Sequence, residues 1–322
     1  MILSHTIVFL ALLLIGLVYH RMALRFGIVD KPNQRSSHRE TTIRGGGILF
    51  PVAVLFWWMT YDFLHTWMVL GLIWISVISL LDDMYVLSRK LRFAVQFLAL
   101  SMAFYDLGVF EQESWWTLPF LYFIALGIIN AINFMDGING ITGIYGMVFF
   151  GSLLAINQFM PIFSESLIRY IILSILVFLI FNFRKRALMF AGDIGSISIA
   201  YLMIYFLLQW YLASDNWTII LFLVVYGMDS FLTLGHRLLL KENIGLPHRT
   251  HLYQIIANQL KKDHVLISLI YGVLQLGVNL ILFILPQSYP HPLIAALVLI
   301  ASAGLYLAFK IPLVKKYKVY GS

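Results

Sequence analysis

Long apolar stretches alternate with short polar segments along the whole chain. A helix that crosses a bilayer needs about 20 predominantly apolar residues. The pattern predicts helices over 2–20, 46–61, 66–81, 92–108, 117–133, 141–159, 167–183, 194–213, 217–235, 264–285 and 292–310. The expected fold is an all-α integral membrane protein, a polytopic bundle of 10–11 transmembrane helices in one domain over residues 1–322. Polar segments at 21–45, 82–91, 134–140, 184–193 and 236–263, with the C-terminal tail, then fall on one side. Pro51 and Pro119 lie near the starts of spans, where a missing N–H is tolerated. Trp57, Trp58, Trp67, Trp115, Trp116, Trp210 and Trp217 gather near the opposite ends, as an interfacial aromatic belt would.

Composition agrees with this pattern. The chain is 61% hydrophobic and 11% charged, with mean hydropathy +0.88, which excludes an ordinary soluble domain. The net charge of +7 is spread between apolar runs and does not form a nucleic-acid footprint. All but Arg169 of the 22 Lys and Arg fall on the side of the polar segments, so the positive-inside rule makes that side cytoplasmic. Asp62, Asp106, Glu111, Glu113, Glu165 and Asp215 occupy the other side. The first basic residues, Arg21 and Arg25, follow the first apolar stretch, which predicts a retained first helix with its N-terminus outside. The tail Lys310, Lys315, Lys316 and Lys318 is expected to anchor the last helix at anionic headgroups. With no cysteine, neither disulfides nor a thiolate zinc site is available.

Five cytoplasmic segments carry unusual polar residues. Asp30 to His38 is followed by Arg44-Gly45-Gly46-Gly47, where glycines entering a helix either admit an anion to the backbone N–H groups or hinge a basic loop. Asp82-Asp83 ends an apolar run and precedes Arg89, Lys90 and Arg92. Adjacent carboxylates repel, so the pair needs water, a proton or a cation, and helix capping explains it poorly. Asn130, Asn133 and Asp136 are spaced three apart and share a helical face, offering oxygen ligands suited to Mg²⁺; Gly137 and Gly140 then break the helix. Asp193, in Gly192-Asp193-Ile194-Gly195-Ser196, stands at a helix start, where it either caps or joins the other acids. Pro247-His248-Arg249-Thr250-His251 brings together donors for a pyrophosphate. Asp229 inside a span needs a partner, and Arg237 two turns on is within reach; His5, His20, His65, His264 and His291 read as packing or interfacial residues.

These segments, in this order, resemble the polyprenyl-phosphate N-acetylhexosamine-1-phosphate transferases, the glycosyltransferase family 4 enzymes that start cell-envelope polysaccharides. The resemblance runs from about 30 to 254, and its most specific parts are Asp82-Asp83, the run from Asn130 to Gly137, and Gly192 to Ser196. It implies transfer of N-acetylhexosamine-1-phosphate from a UDP-N-acetylhexosamine to undecaprenyl phosphate in the bilayer of a bacterial inner membrane, with release of UMP. It implies Mg²⁺, with Mn²⁺ as a substitute, on Asn133 and Asp193. Asp82 or Asp83 would deprotonate or orient the lipid phosphate. By the same resemblance, Gly137 and Asn139 fall where uracil is held. Lys90, Arg92, His248, Arg249 and His251 fall where the diphosphate is held, with Arg44 and Asp136 in the surrounding site. Whether the protein works as a homodimer stays open.

The chain departs from the family pattern at three places. Asn139 replaces the second acid of Asp-Gly-x-Asp-Gly, Ile43 stands where Pro is expected, and the late motif is not the triple-histidine form. The last departure points away from peptidoglycan and toward the branch acting on O-antigen-type sugars. Intramembrane prenyltransferases would need a second acid four residues after Asp82 or Asp83, where Val86 and Leu87 stand. A CDP-alcohol phosphotransferase would need Ala-Arg after Asp136-Gly137. A transporter or flippase for the same lipid would put acids at mid-membrane, and here nearly all the acids of the unusual polar segments gather at one face.

Overall fold

A computed structural model describes residues 2–30, 41–243 and 248–317. The chain forms α1 (Ile2–Phe26), a two-stranded antiparallel ribbon of β1 (Val29–Asp30) and β2 (Thr42–Ile43), then α2 (Leu49–Thr60), α3 (Thr66–Tyr85) and α4 (Arg89–Asp106). There follow α5 (Val109–Gln112), α6 (Thr117–Met135), α7 (Ile141–Asn157), α8 (Glu165–Asn182), α9 (Gly192–Ser214), α10 (Val224–Leu239), α11 (Leu252–Asn258), α12 (His264–Asn279) and α13 (Pro292–Tyr317). All eleven expected helices are present. The short α5 and α11 are additions, because a single turn or two carries no long apolar period to read.

The protein is an all-α polytopic membrane protein. Among the described residues, eight helices are long and apolar enough to cross a membrane, and the apolar helices Gly46–Thr60 and Ile141–Asn157 are shorter. The first of these reaches only about 22 Å at 1.5 Å per residue. Helix α4 is long enough, but Arg89, Lys90 and Arg92 occupy its first turns and cut its apolar length.

Helix α9 is the hub. It is buried from Ile194 through Leu208 on every face, which explains why its sequence shows no amphipathic stripe. Helices α3 and α6 pack directly on it, α4 packs on α3, and α8 lies between α2 and α7. Helix α13 lies at the edge, with only Ala295, Tyr306, Lys310 and Val314 buried. Two of the tryptophans expected in the interfacial belt belong to the core instead. Trp57 and Trp210 are buried, and their indole N–H groups donate to Ser166 Oγ and Tyr289 Oη at 2.8 Å. Trp67, Trp115, Trp116 and Trp217 are exposed, as a belt requires.

The end of the bundle opposite the polar segments has its own clamp. His65 Nδ1 lies 2.7 Å from Asp106 Oδ2, and the Tyr205 hydroxyl donates to the same oxygen at 2.9 Å. This corrects the reading of His65 as a residue without company, because its partners come from α4 and α9, far away in sequence. The clamp holds the starting end of α3, whose approach turn puts Asp62, Phe63 and His65 at positive φ.

Glycines set the approach of α2 to α9. A Cβ on Gly47 would stand 2.0 Å from Gly195 Cα, and one on Gly195 would stand 2.9 Å from Gly47 Cα. Only two glycines allow these backbones to meet. Gly47→Ala is therefore expected to overpack the contact and cost about 1–3 kcal/mol. Gly151→Ala, where a Cβ meets open space, should leave thermal unfolding in detergent unchanged or slightly improved. Equal melting of the two variants would contradict this packing.

Candidate active site

The site is built where α3 ends and α9 begins. Helix α3 stops at Val86, which adopts φ 52°. Asp82 secures the stop: Oδ1 accepts from the Leu87 N–H at 2.5 Å, and Oδ2 accepts from Arg92 Nη1 at 2.8 Å. Asp83, one residue round the helix, turns toward α9. Its Oδ2 accepts from the Ile194 N–H at 3.5 Å, and its Oδ1 lies 3.4 Å from Arg44 Nη1. The first N–H groups of a helix have no partner within it and carry partial positive charge. The cap of α9 is thus supplied by α3, and Asp193 is not the cap that its position suggested; the residue before the helix, Ala191, makes no side-chain cap either.

Gly192 has φ 71°, and a Cβ there would meet Asp83 Oδ2 at 2.5 Å and the Gly45 nitrogen at 2.8 Å. The glycine before Asp193 is therefore the space that Asp83 occupies. The Gly46 and Gly47 N–H groups donate to the carbonyls of Phe190 and Ala191 at 2.8 and 3.0 Å. They join two backbones and are not open to an anion, which decides between the two readings of that glycine run. Arg44 completes the corner, placed by the Tyr19 hydroxyl donating to its carbonyl at 2.8 Å.

Helix α6 brings the third wall. Asn133 Nδ2 donates to Asp193 Oδ1 at 3.1 Å and to Ser196 Oγ at 2.9 Å. Asp136 lies just past the helix and accepts from Thr142 Oγ1 at 2.6 Å. Burial pushes its carboxyl up to about 6; Thr142 and Arg44 oppose the shift, and the charge of Asp193 adds to it. Asn130 is not brought in, because its amide donates to the Leu126 carbonyl at 2.7 Å on an exposed face. Asn139 is buried and donates to the Arg184 and Lys185 carbonyls at 2.7 and 3.2 Å, which pins the next polar segment. Gly137 is exposed on one side and gives room on the other to the Tyr253 ring.

Arg44 pairs with Asp83 and with Asp30 at 3.4 and 3.5 Å, and its charge also bears on Asp193 and Asp136, while Arg92 is taken by Asp82. Asp83 Oδ1 is buried with no hydrogen bond among the described residues. Those residues hold no ready group of three His, Asp or Glu side chains for a metal. Two carboxylates, Asp83 and Asp193, and the Asn133 amide nevertheless fit Mg²⁺, which keeps waters and takes phosphate oxygens to complete its shell. Beside Asp82 and Arg92 a narrow cleft of about 10 Å³ lies between α3, α4 and α9, lined by Ile75, Ile78, Val95 and Ile197.

The histidine segment sits next to this corner. Tyr253 of α11 donates to the Phe134 carbonyl at 2.8 Å, tying the two regions together. The His248 and His251 rings lie 4.8 Å apart. His248 shares a hydrogen bond with Thr250 at 2.9 Å. Burial and the neighbouring His251, Arg237 and Lys310 push its imidazole down to about 3, so it is neutral. Arg237 does not reach Asp229; it donates to Glu242 Oε2 at 2.8 Å and to the Asn243 carbonyl at 2.9 Å. Lys310 is buried and donates to Thr233, so it serves this interior and not the headgroups. Lys90 is exposed, and Arg249 is half-buried beside His248. Lys31 to Glu40, Ile244 to Pro247 and Lys318 lie outside the described residues.

Residues 65–211 match the model of glycosyl transferase family 4. A relative from Bacillus subtilis (strain 168), described as a probable undecaprenyl-phosphate N-acetylglucosaminyl 1-phosphate transferase, is 27% identical over 266 residues, covering 76% of this chain and 74% of its own. Over that span the chain is similar to glycosyl transferase family 4.

The family 4 match contains Asp82, Asp83, Asn133, Asp136 and Asp193, whereas Arg44, Asp229, His248 and His251 lie outside it. The structure brings that second set to the first. Ser196 and Thr142 were missed as polar partners in the sequence; Ser196 stood inside a recognised motif and could have been found there.

A histidine whose folded pKa is depressed contributes stability that is present above its ordinary pKa and lost as pH falls below it. For His248 that window runs from about 6.5 down to about 3. Thermal unfolding should therefore show a steeper loss of stability below pH 6.5 in the native chain than in His248→Gln, while the opposite drift from Asp136 is common to both. Identical slopes would show that His248 is not a buried neutral imidazole.

Proposed function

We propose that this protein transfers N-acetylhexosamine-1-phosphate from a UDP-N-acetylhexosamine to undecaprenyl phosphate, releasing UMP and forming undecaprenyl-diphospho-sugar. The carrying observation is the convergence of Asp83, Asp193, Asn133 and Arg44 on the start of α9, at one end of an apolar bundle and beside a cleft. The family match and the description of the Bacillus relative support the same reading. The basic asymmetry of the chain supports a bacterial inner membrane with the site and C-terminal tail cytoplasmic and the N-terminus outside. There a bilayer-bound acceptor and a cytosolic nucleotide can meet.

In this reaction an oxygen of the lipid phosphate bonds to the sugar-linked phosphorus as the bond from that phosphorus to the UMP oxygen breaks, and UMP leaves with the electron pair. Phosphoryl transfer of this kind depends on positioning and charge stabilisation. Both oxygens of Asp82 are engaged, so Asp82 orients Arg92 at the cleft, and Arg92 with Lys90 draws in the lipid phosphate. Asp83 Oδ1 faces Arg44 without a hydrogen bond among the described residues, which makes Asp83 the group that takes a proton from the acceptor phosphate. Arg44, His248, Arg249 and His251 face the diphosphate, and exposed Gly137 is the part of its segment open to uracil. Mg²⁺ held by Asp193 and Asn133, with Mn²⁺ as a substitute, would neutralise charge on the diphosphate as a Lewis acid. The late His248-Arg249-x-His251 motif favours an O-antigen-type pathway.

Purified protein in nanodiscs should release UMP from a UDP-N-acetylhexosamine only when Mg²⁺ and undecaprenyl phosphate are both present. Absence of UMP release across UDP-GlcNAc, UDP-QuiNAc and UDP-FucNAc would sink the proposal. Asp193→Asn should abolish turnover with normal expression, and retained activity would refute its metal role.

A further inference from the structure

Asp229 is a fully buried carboxylate in a membrane protein, and the acid corner does not use it. An isolated charge there would be expensive, so the side chain must be paired. Its Oδ1 accepts from the Leu252 N–H at 2.9 Å and from the Tyr306 hydroxyl at 2.8 Å, and its Oδ2 accepts from the Tyr271 hydroxyl at 2.7 Å and the Tyr253 N–H at 3.3 Å. It thus caps α11 from α10 and collects hydroxyls from α12 and α13.

The Thr233 hydroxyl donates to Oδ1 as well, at 3.3 Å, and a further partner is a ring. His251 Nδ1 lies 3.3 Å from Asp229 Oδ1. A carboxylate only accepts, so Nδ1 carries the proton. The ring is 2% exposed, and its other nitrogen, Nε2, is buried without a hydrogen-bond partner among the described residues. Arg237 repeats this pattern: Nε and Nη2 are engaged, while Nη1 is buried without a hydrogen-bond partner among the described residues. The His251 ring lies 4.8 Å from that of His248, and the charge of Arg237 also bears on His248. Leaving a buried polar atom unpaired costs about 1–3 kcal/mol, and a ligand oxygen would relieve it.

We propose that Asp229 is a positioning residue, which holds the Nδ1–H of His251 and thereby aims Nε2 at a phosphate oxygen of the substrate, to which Nε2 donates once it too carries a proton. The inference rests on the transferase reading for the identity of that oxygen, and on geometry alone for the tautomer. Its logic is that of any imidazole oriented by a carboxylate: one nitrogen is committed to the acid, and the other is left for the chemistry. Tyr253 transmits the arrangement, since its N–H is held by Asp229 and its hydroxyl by the Phe134 carbonyl, next to Asn133. The residue that seemed to need Arg237 as a counter-ion therefore acts on the other side, through the histidine loop.

The test has two arms. In the first, kcat and KM for the UDP-sugar are measured with the full chain in nanodiscs for Asp229→Asn, His251→Gln and the double variant. Asparagine keeps an acceptor oxygen for the α11 N–H groups. Asp229→Asn is expected to lower kcat on the order of 10–100-fold, the scale seen when a carboxylate orienting a histidine is removed. KM should stay within about threefold, and the double variant should be no slower than His251→Gln. Losses that multiply in the double variant, or an effect confined to KM, would overturn the proposal.

The second arm needs no variant and no turnover. Nitrogen-15 histidine spectra of the native chain, assigned by the loss of signals in His251→Gln, should show a protonated Nδ1 on His251. A neutral Nε2–H tautomer would overturn the proposal even if Asp229→Asn failed to fold. If the native protein released no UMP, the transferase reading would fall while this arm still decided the role of Asp229.

Discussion

The contact between the Asp83 carboxylate and the first turn of α9 organises everything at this end of the bundle. An anion at a helix N-terminus gains about 0.3–1 kcal/mol on a surface and up to about 2 in partly buried geometries. Here it also joins two long helices at a fixed point. Three features follow from it: the glycine at 192, the glycine contact between 47 and 195, and the arrival of Arg44 as counter-charge. Asp193 stands one residue into the same helix, so its charge acts on Asp83 across the start of α9. Two acids forced together in a desolvated corner create the demand for a cation that the chemistry can use.

Two polar centres are thus embedded in an apolar bundle, and they differ in kind. The acid corner is under-compensated, with Asp83 Oδ1 facing Arg44 but making no hydrogen bond among the described residues, whereas Asp229 is saturated by donors from α11, α12 and α13. The first suits binding and reaction, and the second suits holding. Tyr253 joins them through one hydrogen bond to the end of α6. At the far end, the His65–Asp106–Tyr205 clamp closes the same helices, α3, α4 and α9, so the hub is fastened at both ends.

Much of this was legible in the sequence because membrane helices announce themselves locally. Every long helix followed from apolar runs, and the acids of the corner stood out against a chain with few charges. What could not be read was partnership across the chain. Asp83 capping a helix that begins more than a hundred residues later leaves no local trace, and neither does Asn139 donating to carbonyls at 184 and 185. Asp229 was visible as a costly charge, yet the nearest arginine in sequence was the wrong partner, because α11 folds back to meet it. Trp57, Trp210 and Lys310 looked interfacial by residue type and turned out to be interior, each with a hydrogen-bond partner on another helix or loop. Amphipathic side chains are ambiguous in this way, since burial depends on which neighbour offers an acceptor.

The central claim is that the start of α9 is a divalent-cation site assembled by three helices. Electron paramagnetic resonance of Mn²⁺ added to the protein in nanodiscs tests it most directly, since it reports binding without turnover. The account predicts bound Mn²⁺ that Mg²⁺ displaces, that Asp193→Asn abolishes and that Asn133→Ala weakens. Binding in Asp193→Asn equal to that of the native chain would contradict it.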